Sequence, residues 1–430
     1  MRNARWCLAA GVLLLVPTLA LAGGFALFEH GARGVGMAGA FGATADDPSA
    51  GYYNPAGLAF LEGTQLEAGV FLITETSKFK GVNPYPGAGY KSEMESQVFY
   101  PPHLYLNGRL TSNDVLHWGV AVYAPFGLGT WWPNEYAGKF ITKRIDLKVF
   151  NINPNLAIRL SDSVAVAVGY DLFLSRVDLT KSLPAFNPYT LQVAEVGQVH
   201  LYNDNWETGS GWNAAILAKL GAGFSFGASY RDKVKMTYSD ATASFIQFPT
   251  GYADFDAIVA GLLPFANKPK ATTSITFPSE TRFGLAWRNE KWTVEYDAVR
   301  MGWDVFKNLP ITIVGRPDLS SVRPEEYKNT TTHRIGFEYR MSPAWAWQFG
   351  YLKDPTPVPT ASVSPLLPDA DRNGYSLGFS WAFSERSKLE SSFLYLPFKG
   401  RSTNGQDRDN FNGSYDTTAY LWGLSWVYKF

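Results

Sequence analysis

SVAVAVGYDLFLS, residues 163–175, alternates between two kinds of side chain. Every even position from Val164 to Leu174 is large and apolar, whereas the odd positions are small or polar except for Phe173. Successive side chains of a β-strand point to opposite faces of the sheet. The stretch therefore predicts a strand with one continuous apolar face and one face of small and polar residues.

The same period of two recurs along the chain. It is clear in GYSLGFSWAF (374–383), WTVEYDA (292–298), FNINPNLAIRL (150–160) and the final YLWGLSWVYKF (420–430), whose large face ends in Phe430. In a soluble sandwich the second face would meet solvent and be rich in Lys, Glu and Thr. Here it carries mainly Gly, Ala, Ser and Asn, while Trp, Tyr and Phe occupy the large face, as on the outside of a transmembrane barrel.

The N-terminus and the composition indicate an exported protein. Arg2 and Arg5 precede a short apolar run that ends in Ala20–Ala22, which predicts a signal peptide over residues 1–22. The single cysteine, Cys7, falls inside that peptide, which excludes disulfides, thiolate metal sites and cysteine nucleophiles from the mature chain. Aromatic residues make up 15% of the chain, and a formal net charge of zero gives no basic footprint for nucleic acid.

The alternating segments number about fourteen, and an even number places both chain ends on the periplasmic side of a bacterial outer-membrane barrel. We therefore predict an all-β fold, a transmembrane antiparallel β-barrel of about fourteen strands over residues 61–430. Pro154 lies within one segment and predicts a local bulge or bend, because proline cannot donate a ladder hydrogen bond. The expected strands lie near 64–79, 98–110, 116–125, 143–160, 163–180, 206–220, 223–240, 271–288, 292–314, 327–341, 344–354, 371–384, 387–400 and 417–430.

A barrel of fourteen strands is too wide for small side chains to fill, so its lumen is either open or plugged. Residues 23–60 lack strand alternation and combine many Gly and Ala residues with aromatic residues such as Phe25, Phe41 and Tyr53. Exposed tails are usually polar, so this segment is predicted to be a hatch inside the lumen. GVGMAG (34–39) lacks the flanking strand and helix of a nucleotide-binding loop, and no cofactor is expected.

Several stretches resemble one known family, in the same order along the chain. GARGVGMAGAFGATADDPSAGYYNPAGLA (31–59) is similar to the hatch of the FadL-type long-chain fatty acid transporters, a family that includes TodX-like aromatic hydrocarbon channels. The triplet Asn54-Pro55-Ala56 matches the signature of that family, and we expect Asn54 to hydrogen-bond the backbone of the wall or of its bent strand. Further matches are HWGVAVYAPFGLGTWWPNEYAG (117–138), GWNAAILAKL (211–220), YRDKVKM (230–236) and DPTPVP followed by PDADRNGYSLGFSWAF.

The resemblance implies passive transport of hydrophobic compounds in the bacterial outer membrane. Family members catch their ligands in an external groove between two long loops and pass them to an apolar pocket in the barrel. The ligands leave sideways into the membrane through a gap in the wall, where the third strand bends inward. Long-chain fatty acids are favoured as ligands, with aromatic hydrocarbons or alkanes as the alternative.

The local sequence is compatible with such a groove and gap. Residues 254–269 place apolar side chains at helical spacing, which predicts either one wall of the groove or packing within the loop layer. Leu191, Val193, Val196 and Val199 could form the second wall. APFGLG is expected to end a short third strand and to line a cavity, the alternative being a simple bulge at the rim. The groove candidates are Phe255, Ile258, Val259, Leu262 and Leu263, and the lateral gate candidates are Pro125, Phe126, Gly127 and Gly129.

A fatty acid carboxylate would need a cation to meet it. Strand parity places Arg159, Arg282, Lys328 and Arg334 in the lumen. The resemblance favours Arg159 and Lys328 as the ligand-binding pair, and the alternative is that these cations only pair with acids of the lumen. The acids available for that alternative are Glu295, Asp297 and Glu338.

Two other classes of function compete with hydrophobic transport. A general porin would show a large steady ion conductance, which a plugged barrel would not. An outer-membrane hydrolase would need a histidine beside a serine, and nothing in the sequence connects the five histidines with Ser387, Ser391 or Ser392. No catalytic or metal-binding cluster is visible, so the expected partners of this monomer are hydrophobic small molecules and outer-membrane lipid.

Overall fold

A single closed sheet of fourteen strands dominates the computed structural model, which describes residues 23–430; the predicted signal peptide, residues 1–22, lies outside the described residues. Each wall strand pairs antiparallel with its neighbours in sequence, and the last strand pairs with the first, with Gln65 opposite Lys429. The wall strands are β1 (Gln65–Gly81), β2 (Pro102–Arg109), β3 (Leu116–Trp131), β4 (Arg144–Arg159), β5 (Val164–Asn187), β6 (Glu207–Gly221), β7 (Phe224–Arg231), β8 (Glu280–Arg288), β9 (Trp292–Met301), β10 (Thr330–Arg340), β11 (Trp345–Asp354), β12 (Arg372–Ala382), β13 (Ser387–Pro397) and β14 (Gly413–Lys429). The predicted fourteen-stranded barrel is confirmed.

Shorter elements extend the wall or fold over one end of it. The helices are α1 (Ala32–Gly36), α2 (Ala50–Tyr53) and α3 (Ala253–Leu262), and none of the helices in residues 23–430 has the length and apolarity needed to cross a membrane. Short 3-10 helices span Pro55–Phe60, Trp303–Val305, Pro317–Leu319 and Thr360–Ser362. The remaining strand segments are Lys91–Glu93, Gln97–Phe99, Gln192–Tyr202, Val234–Gln247, Lys270–Phe277, Asn308–Ile313, Ser321–Pro324 and Arg401–Ser402.

The two faces of each strand lie as the alternation predicts. In β5 the small residues Ala165 and Ala167 are buried toward the lumen, whereas Val168 and Tyr170 on the other face are exposed. In β14 the outward side chains include Trp422, which is 54% exposed. A large apolar face that points away from the interior is stable only against lipid. This orientation distinguishes a membrane barrel from a soluble sandwich.

The third strand is longer than the sequence suggested. We expected it to end near residue 125, but β3 continues to Trp131 and stays paired with β4 throughout. The APFGLG stretch introduces a one-residue bulge instead of an end, because Tyr123 faces Asn151 while Phe126 faces Val149. A bulge lets a strand bend while its ladder on one side continues.

Pro154 in β4 acts differently from the predicted bulge. Its pairing with Val120 of β3 is in register, so no extra residue is inserted there. On the other side, the pairing of β4 with β5 is interrupted between Ile152 and Asn155. The missing proline N–H accounts for the interruption, and the side-chain amide of Asn153 donates instead to the carbonyl of Tyr170, 2.9 Å away.

Residues 23–60, here called the N-terminal segment, pack inside the closed sheet. Residues of α1 and α2 are buried, and Ala56 and Leu58 pack with Ala157, Ala165 and Leu217 of the wall. Nearer the long loops, Phe25 joins an aromatic cluster with side chains from the wall and the loops. The core of the molecule is therefore the contact between this segment and the inner face of the barrel.

Candidate functional site

The N-terminal segment is attached to the wall by a charged cluster. Arg33 binds Glu338 of β10 with two hydrogen bonds, Nε to Oε2 at 2.6 Å and Nη2 to Oε1 at 3.0 Å. Its Nη1 donates to Asp46 of the same segment at 2.6 Å. Bidentate arginine–carboxylate pairs fix orientation as well as distance, so this pair holds α1 at one place in the lumen.

Two acids of β9 receive the backbone of the same segment. The N–H groups of Phe41 and Gly42 donate to Asp297 at 3.2 and 3.1 Å, and those of Ala43 and Thr44 donate to Glu295 at 2.6 and 2.9 Å. Asp297 also accepts a bond from Arg282 at 2.9 Å. Arg282 therefore pairs with an acid of the lumen, which was the alternative to binding a ligand carboxylate.

The signature triplet lies at the end of α2 with no exposed surface on Asn54 or Ala56. The side-chain amide of Asn54 donates to the carbonyl of Gly42 at 2.7 Å and to that of Ile216 in β6 at 3.0 Å. Its Oδ1 accepts the N–H of Ala56, which caps the 3-10 helix that Pro55 begins. Asn54 thus bonds the wall, as expected, but the bent strand has a different partner.

That partner is the start of the N-terminal segment. β2 pairs with β3 only as far as Val122, and no wall strand among residues 23–430 pairs with that edge of β3 further on. The N–H of Leu27 donates to the carbonyl of Pro125 at 2.9 Å, and the N–H of Gly127 donates to the carbonyl of Phe25 at 3.0 Å. Residues 25–27 therefore replace a neighbouring strand where the wall opens.

The wall opening is lined by three of the four predicted gate residues, Phe126, Gly127 and Gly129, together with Phe99 and Tyr100 from the facing segment. Pro125 lines the adjacent cavity on the lumen side. A side chain at position 129 would displace the ring of Phe99, because a Cβ there would collide with it. The bulge and the missing strand neighbour together leave a gap that small residues keep open.

An apolar cavity lies directly above this opening. It encloses about 920 Å³ of space free of protein atoms, its open mouth included, and is lined almost entirely by carbon. Four of its lining residues also line the wall opening. These shared residues are Phe25, Leu128, Leu147 and Leu367.

Glu325 is the one ionisable carboxyl group on the wall of the apolar cavity. Burial raises its pKa from 4.5 to about 7, and Arg323, with Nε 2.9 Å from Oε1, opposes the rise. No Lys or Arg among the described residues lines this cavity. The cavity therefore suits the apolar part of a ligand and offers no cation to an acidic head group.

Aromatic rings separate the apolar cavity from the lumen below. The ring of Phe25 lies 4.8 Å from that of Trp303 and 6.1 Å from that of Phe126, and Phe126 lies 4.7 Å from Phe277. Edge-to-face aromatic contacts are favourable but weak individually, about 1 kcal/mol each. Phe25 belongs to the part of the segment that bonds β3, so its position depends on the bond to Gly127.

The loop helix α3 divides the predicted groove residues into two groups. Phe255 and Val259 are buried against Val196, as the alternative of packing within the loop layer predicts. Ile258 and Leu262 are exposed, at 58% and 64%. Helical spacing therefore does not place all five residues on one open face, because the helix turns Phe255 and Val259 to the loop layer and Leu263 follows the last helical residue.

A hairpin with exposed apolar residues packs beside the start of α3. The ring of Tyr189 stacks on that of Tyr252 at 5.1 Å, which brings the hairpin next to the start of the helix. Leu191 and Val193 of this hairpin are exposed, whereas Val196 and Val199 are buried. An exposed apolar patch of this kind on a membrane-protein loop layer is a candidate for ligand capture.

The two cations chosen as the ligand-binding pair lie apart from the apolar cavity. Arg159 stands at the short-turn end of β4, where it bonds Asp114 at 2.7 Å and Asp162 at 3.0 Å. Lys328 precedes β10 and its side chain is exposed, so parity along the strand does not apply to it.

One histidine does meet a serine in the wall. His103 Nε2 lies 2.8 Å from Ser425 Oγ and 3.7 Å from Glu67 Oε1, while its Nδ1 has no hydrogen-bond partner in residues 23–430. A hydrolytic triad needs the acid on the other ring nitrogen and an accessible serine. Both residues are buried, so the cluster is part of the packing inside the lumen.

No group of three His, Cys, Asp or Glu side chains in the described chain is arranged to hold a metal ion.

A closed barrel with a lipid-facing apolar surface, an occupied lumen, an apolar cavity and a gap in its wall defines a class of outer-membrane transport proteins for apolar solutes. The sequence profile of the outer membrane protein transport protein family (OMPP1/FadL/TodX) matches residues 13–430. The chain belongs to this family, and its place is the bacterial outer membrane.

Characterised relatives span the same length. The long-chain fatty acid transport protein of Escherichia coli O6:H1 is 24% identical over 444 residues, which cover 98% of this chain and 97% of the relative. Outer membrane protein P1 of Haemophilus influenzae is 22% identical, with both chains covered completely. Among solved structures, a Pseudomonas aeruginosa FadL homologue has a TM-score of 0.80 at 18% identity, covering 96% of this chain and all of that chain. The toluene transporter TodX of Pseudomonas putida has a TM-score of 0.72 at 17% identity, with 94% and 99% covered.

Sequence reasoning missed the residues that join these parts. Residues 25–27 carry no motif for strand pairing, and only their apolar character signalled that they would be buried. Arg231 and Arg372, which line the cavity below the aromatic rings, lie at strand ends where alternation is weak. The sequence offered one signal for them: each is a charged residue at the end of a strand whose small and polar face lines the lumen.

Proposed function

We propose that this protein lets hydrophobic compounds enter the outer membrane passively, with long-chain fatty acids favoured over aromatic hydrocarbons or alkanes. The N-terminal segment acts as a hatch that prevents a water-filled pore. Ligands are caught on the exposed apolar residues around α3, pass into the apolar cavity and leave sideways at Ala124–Gly129. No energy source, cofactor or covalent step takes part.

One observation carries this proposal: the apolar cavity and the wall opening share Phe25, Leu128, Leu147 and Leu367. A ligand in the cavity thus touches side chains that also line the opening. Unpaired backbone at membrane depth is tolerated only where it meets protein or lines a cavity. The bonds from residues 25–27 to β3 meet that condition beside the exit.

The exit is tested by filling it. Gly127→Trp adds a ring to the opening, where a Cβ would approach only Leu27 Cδ1, at 3.2 Å, among close neighbours. Val120→Trp is the matched control, because it adds the same ring to the exposed outer face of the same strand. Cells that lack their own outer-membrane fatty acid transporter would express each variant, and uptake of radiolabelled oleate would be measured.

We expect Gly127→Trp to lower uptake to background while the purified variant still binds oleate, and Val120→Trp to behave as the wild type. Equal uptake by both variants would show that ligands do not leave through this opening. Toluene or an alkane taken up in preference to oleate would assign the alternative ligand class. A large steady conductance in planar bilayers would instead support a general porin.

We also propose that the protein works as a monomer. The pairing of β1 with β14 closes the sheet, so the wall presents no unpaired strand edge to a second copy, apart from the short gap beside β3. Closure removes the usual route by which sheets associate edge to edge. Analytical ultracentrifugation in a density-matched detergent would detect a dimer.

A further inference from the structure

Arg334 of β10 is a buried cation without a carboxylate partner. It is 4% exposed, and no Asp or Glu oxygen of residues 23–430 lies within salt-bridge distance of it. Its Nη1 donates to the carbonyl of Ala38 at 2.9 Å, and its guanidinium lies 4.0 Å from the ring centroid of Phe28. A buried charge with no acid at salt-bridge distance is costly, so an anion bound directly to Arg334 would be stabilised.

The free edge of this guanidinium has the geometry that a carboxylate needs. Nε is buried and makes no hydrogen bond to the described chain, and Nη2 makes none either. Nε and Nη2 form the side of the guanidinium that binds carboxylates with two parallel hydrogen bonds. Since Nη1 is occupied by Ala38, this side alone is left for a ligand.

Arg334 lines a cavity of its own, below the aromatic rings of Phe25 and Phe126. The cavity holds about 580 Å³ of space free of protein atoms, its mouth included. It shares four residues with the wall opening, so a ligand could lie in both. The shared residues are Ala26, Leu27, Phe126 and Arg372.

The other charged groups around this cavity already have partners. Arg372 binds Asp354 at 2.7 Å, and Arg231 binds Asp171 at 3.0 Å. Glu280, the second carboxylate on the cavity wall, binds Arg282 at 3.2 Å. Arg334 is the one arginine of the three lining this cavity that has no acid, within residues 23–430.

We propose that Arg334 binds the carboxylate of an amphiphilic ligand, whose apolar chain extends into the wall opening. The inference rests on the proposed function, since it requires hydrophobic ligands to reach the opening. It adds a head-group site that lies away from the apolar cavity and selects monocarboxylates over neutral hydrocarbons. Small free carboxylates share the head group but lack the chain. A titration with acetate therefore distinguishes a site for an amphiphile from a site for any carboxylate.

The test compares two probes of the same chain length, oleate and oleyl alcohol, on the purified full-length mature protein. Binding would be measured by calorimetry for the wild type, Arg334→Gln and Arg300→Gln. Arg300 is the control, because its exposed side chain carries the same charge on the neighbouring strand β9. Acetate alone would be titrated as a third probe.

We expect Arg334→Gln to weaken oleate binding by about ten- to a hundredfold, the usual effect of losing charged hydrogen bonds, and to leave oleyl alcohol unchanged. Arg300→Gln should change neither. If Arg334→Gln binds oleate as tightly as the wild type, and both probes still bind, the head-group site is contradicted and the proposed function is not. Failure of both probes to bind the wild type overturns both. Acetate binding as tight as that of oleate overturns the amphiphile as the ligand.

A second measurement avoids dependence on a variant that could fold poorly. The wild type would be crystallised with 2-bromohexadecanoate, whose bromine lies next to the carboxylate. An anomalous peak beside Arg334 supports the site, and a peak only in the apolar cavity or among the loops contradicts it.

Discussion

The N–H of Gly127 in β3 donates a hydrogen bond to the carbonyl of Phe25, with 3.0 Å between nitrogen and oxygen. No wall strand of the described chain pairs with this edge of β3 at Gly127, and the backbone of Phe25 makes the hydrogen bond that such a strand would make. The ring of the same residue lines both the apolar cavity and the wall opening. A ligand that displaces this ring therefore acts directly on the backbone pairing that closes the wall.

Leu27→Pro should loosen this pairing, because proline has no N–H to donate to the carbonyl of Pro125. We expect faster hydrogen exchange at the amide of Gly127, measured by mass spectrometry on peptides that cover residues 124–129. Leu27→Ala keeps the N–H and should exchange as slowly as the wild type. Identical exchange in the two variants would mean that the segment does not hold β3.

Asn54→Ala should lower the free energy of unfolding by about 1–3 kcal/mol, since two buried carbonyl groups lose their donor. Denaturant unfolding followed by tryptophan fluorescence in lipid bilayers measures the change. Asn113→Ala, in an exposed turn, is the control and should alter stability by less than about 0.5 kcal/mol. A loss no larger than that of the control would remove the anchoring role of Asn54.

The Arg33–Glu338 pair should show strong energetic coupling, because both side chains are buried and joined by two hydrogen bonds. A double-mutant cycle with Arg33→Met and Glu338→Gln should give about 1–3 kcal/mol. The exposed pair Lys78–Glu93, 3.8 Å apart, is the comparison and should give well under about 1 kcal/mol. Equal coupling in both cycles would contradict a locked N-terminal segment.

Glu325 should make the loop layer less stable as pH rises. Its folded-state pKa of about 7 exceeds the ordinary value of 4.5, so the folded state holds the proton more tightly than the unfolded state. The resulting stabilisation is complete below about pH 4.5 and is lost as pH rises through about 7. Limited proteolysis of the loops between pH 4.5 and 8 measures this. Glu325→Gln should reduce the dependence on pH, and the remainder is expected from Asp407, whose pKa burial raises to about 6.

Arg159→Ala combined with Lys328→Ala should leave oleate affinity unchanged. Arg159 is occupied by Asp114 and Asp162 at the short-turn end, and Lys328 is exposed. The same titration calorimetry measures the double variant against the wild type. A tenfold loss of affinity would restore these two residues as the ligand-binding pair.

Alternation of side chains predicted the barrel because it depends only on which face of a strand meets lipid. In β14 and in the first part of β5 the large side chains share one face, and the lipid-facing side was assigned correctly. The same reasoning could not find the partner of Pro125 and Gly127. Periodicity indicates on which face of the sheet a side chain lies, but not which segment pairs with the strand. The bonds of residues 25–27 to β3 are a tertiary contact between segments about a hundred residues apart.

The site was less accessible to sequence reasoning than the fold. Arg282 and Arg334 were placed in the lumen by parity, but only the structure distinguishes the paired arginine from the free one. For α3, helical spacing gave the apolar residues without showing which of them face the loop layer. Phe255 and Val259 are buried by Val196, a residue of a different loop, and no local pattern reports that contact.

The closing pair of the barrel, β1 with β14, joins residues about 350 positions apart in the chain. The N-terminal segment immediately precedes β1 and bonds β6, β9, β10 and β14. Ser425, the partner in β14, belongs to the last strand, so the segment has its full set of contacts only when that strand closes the sheet.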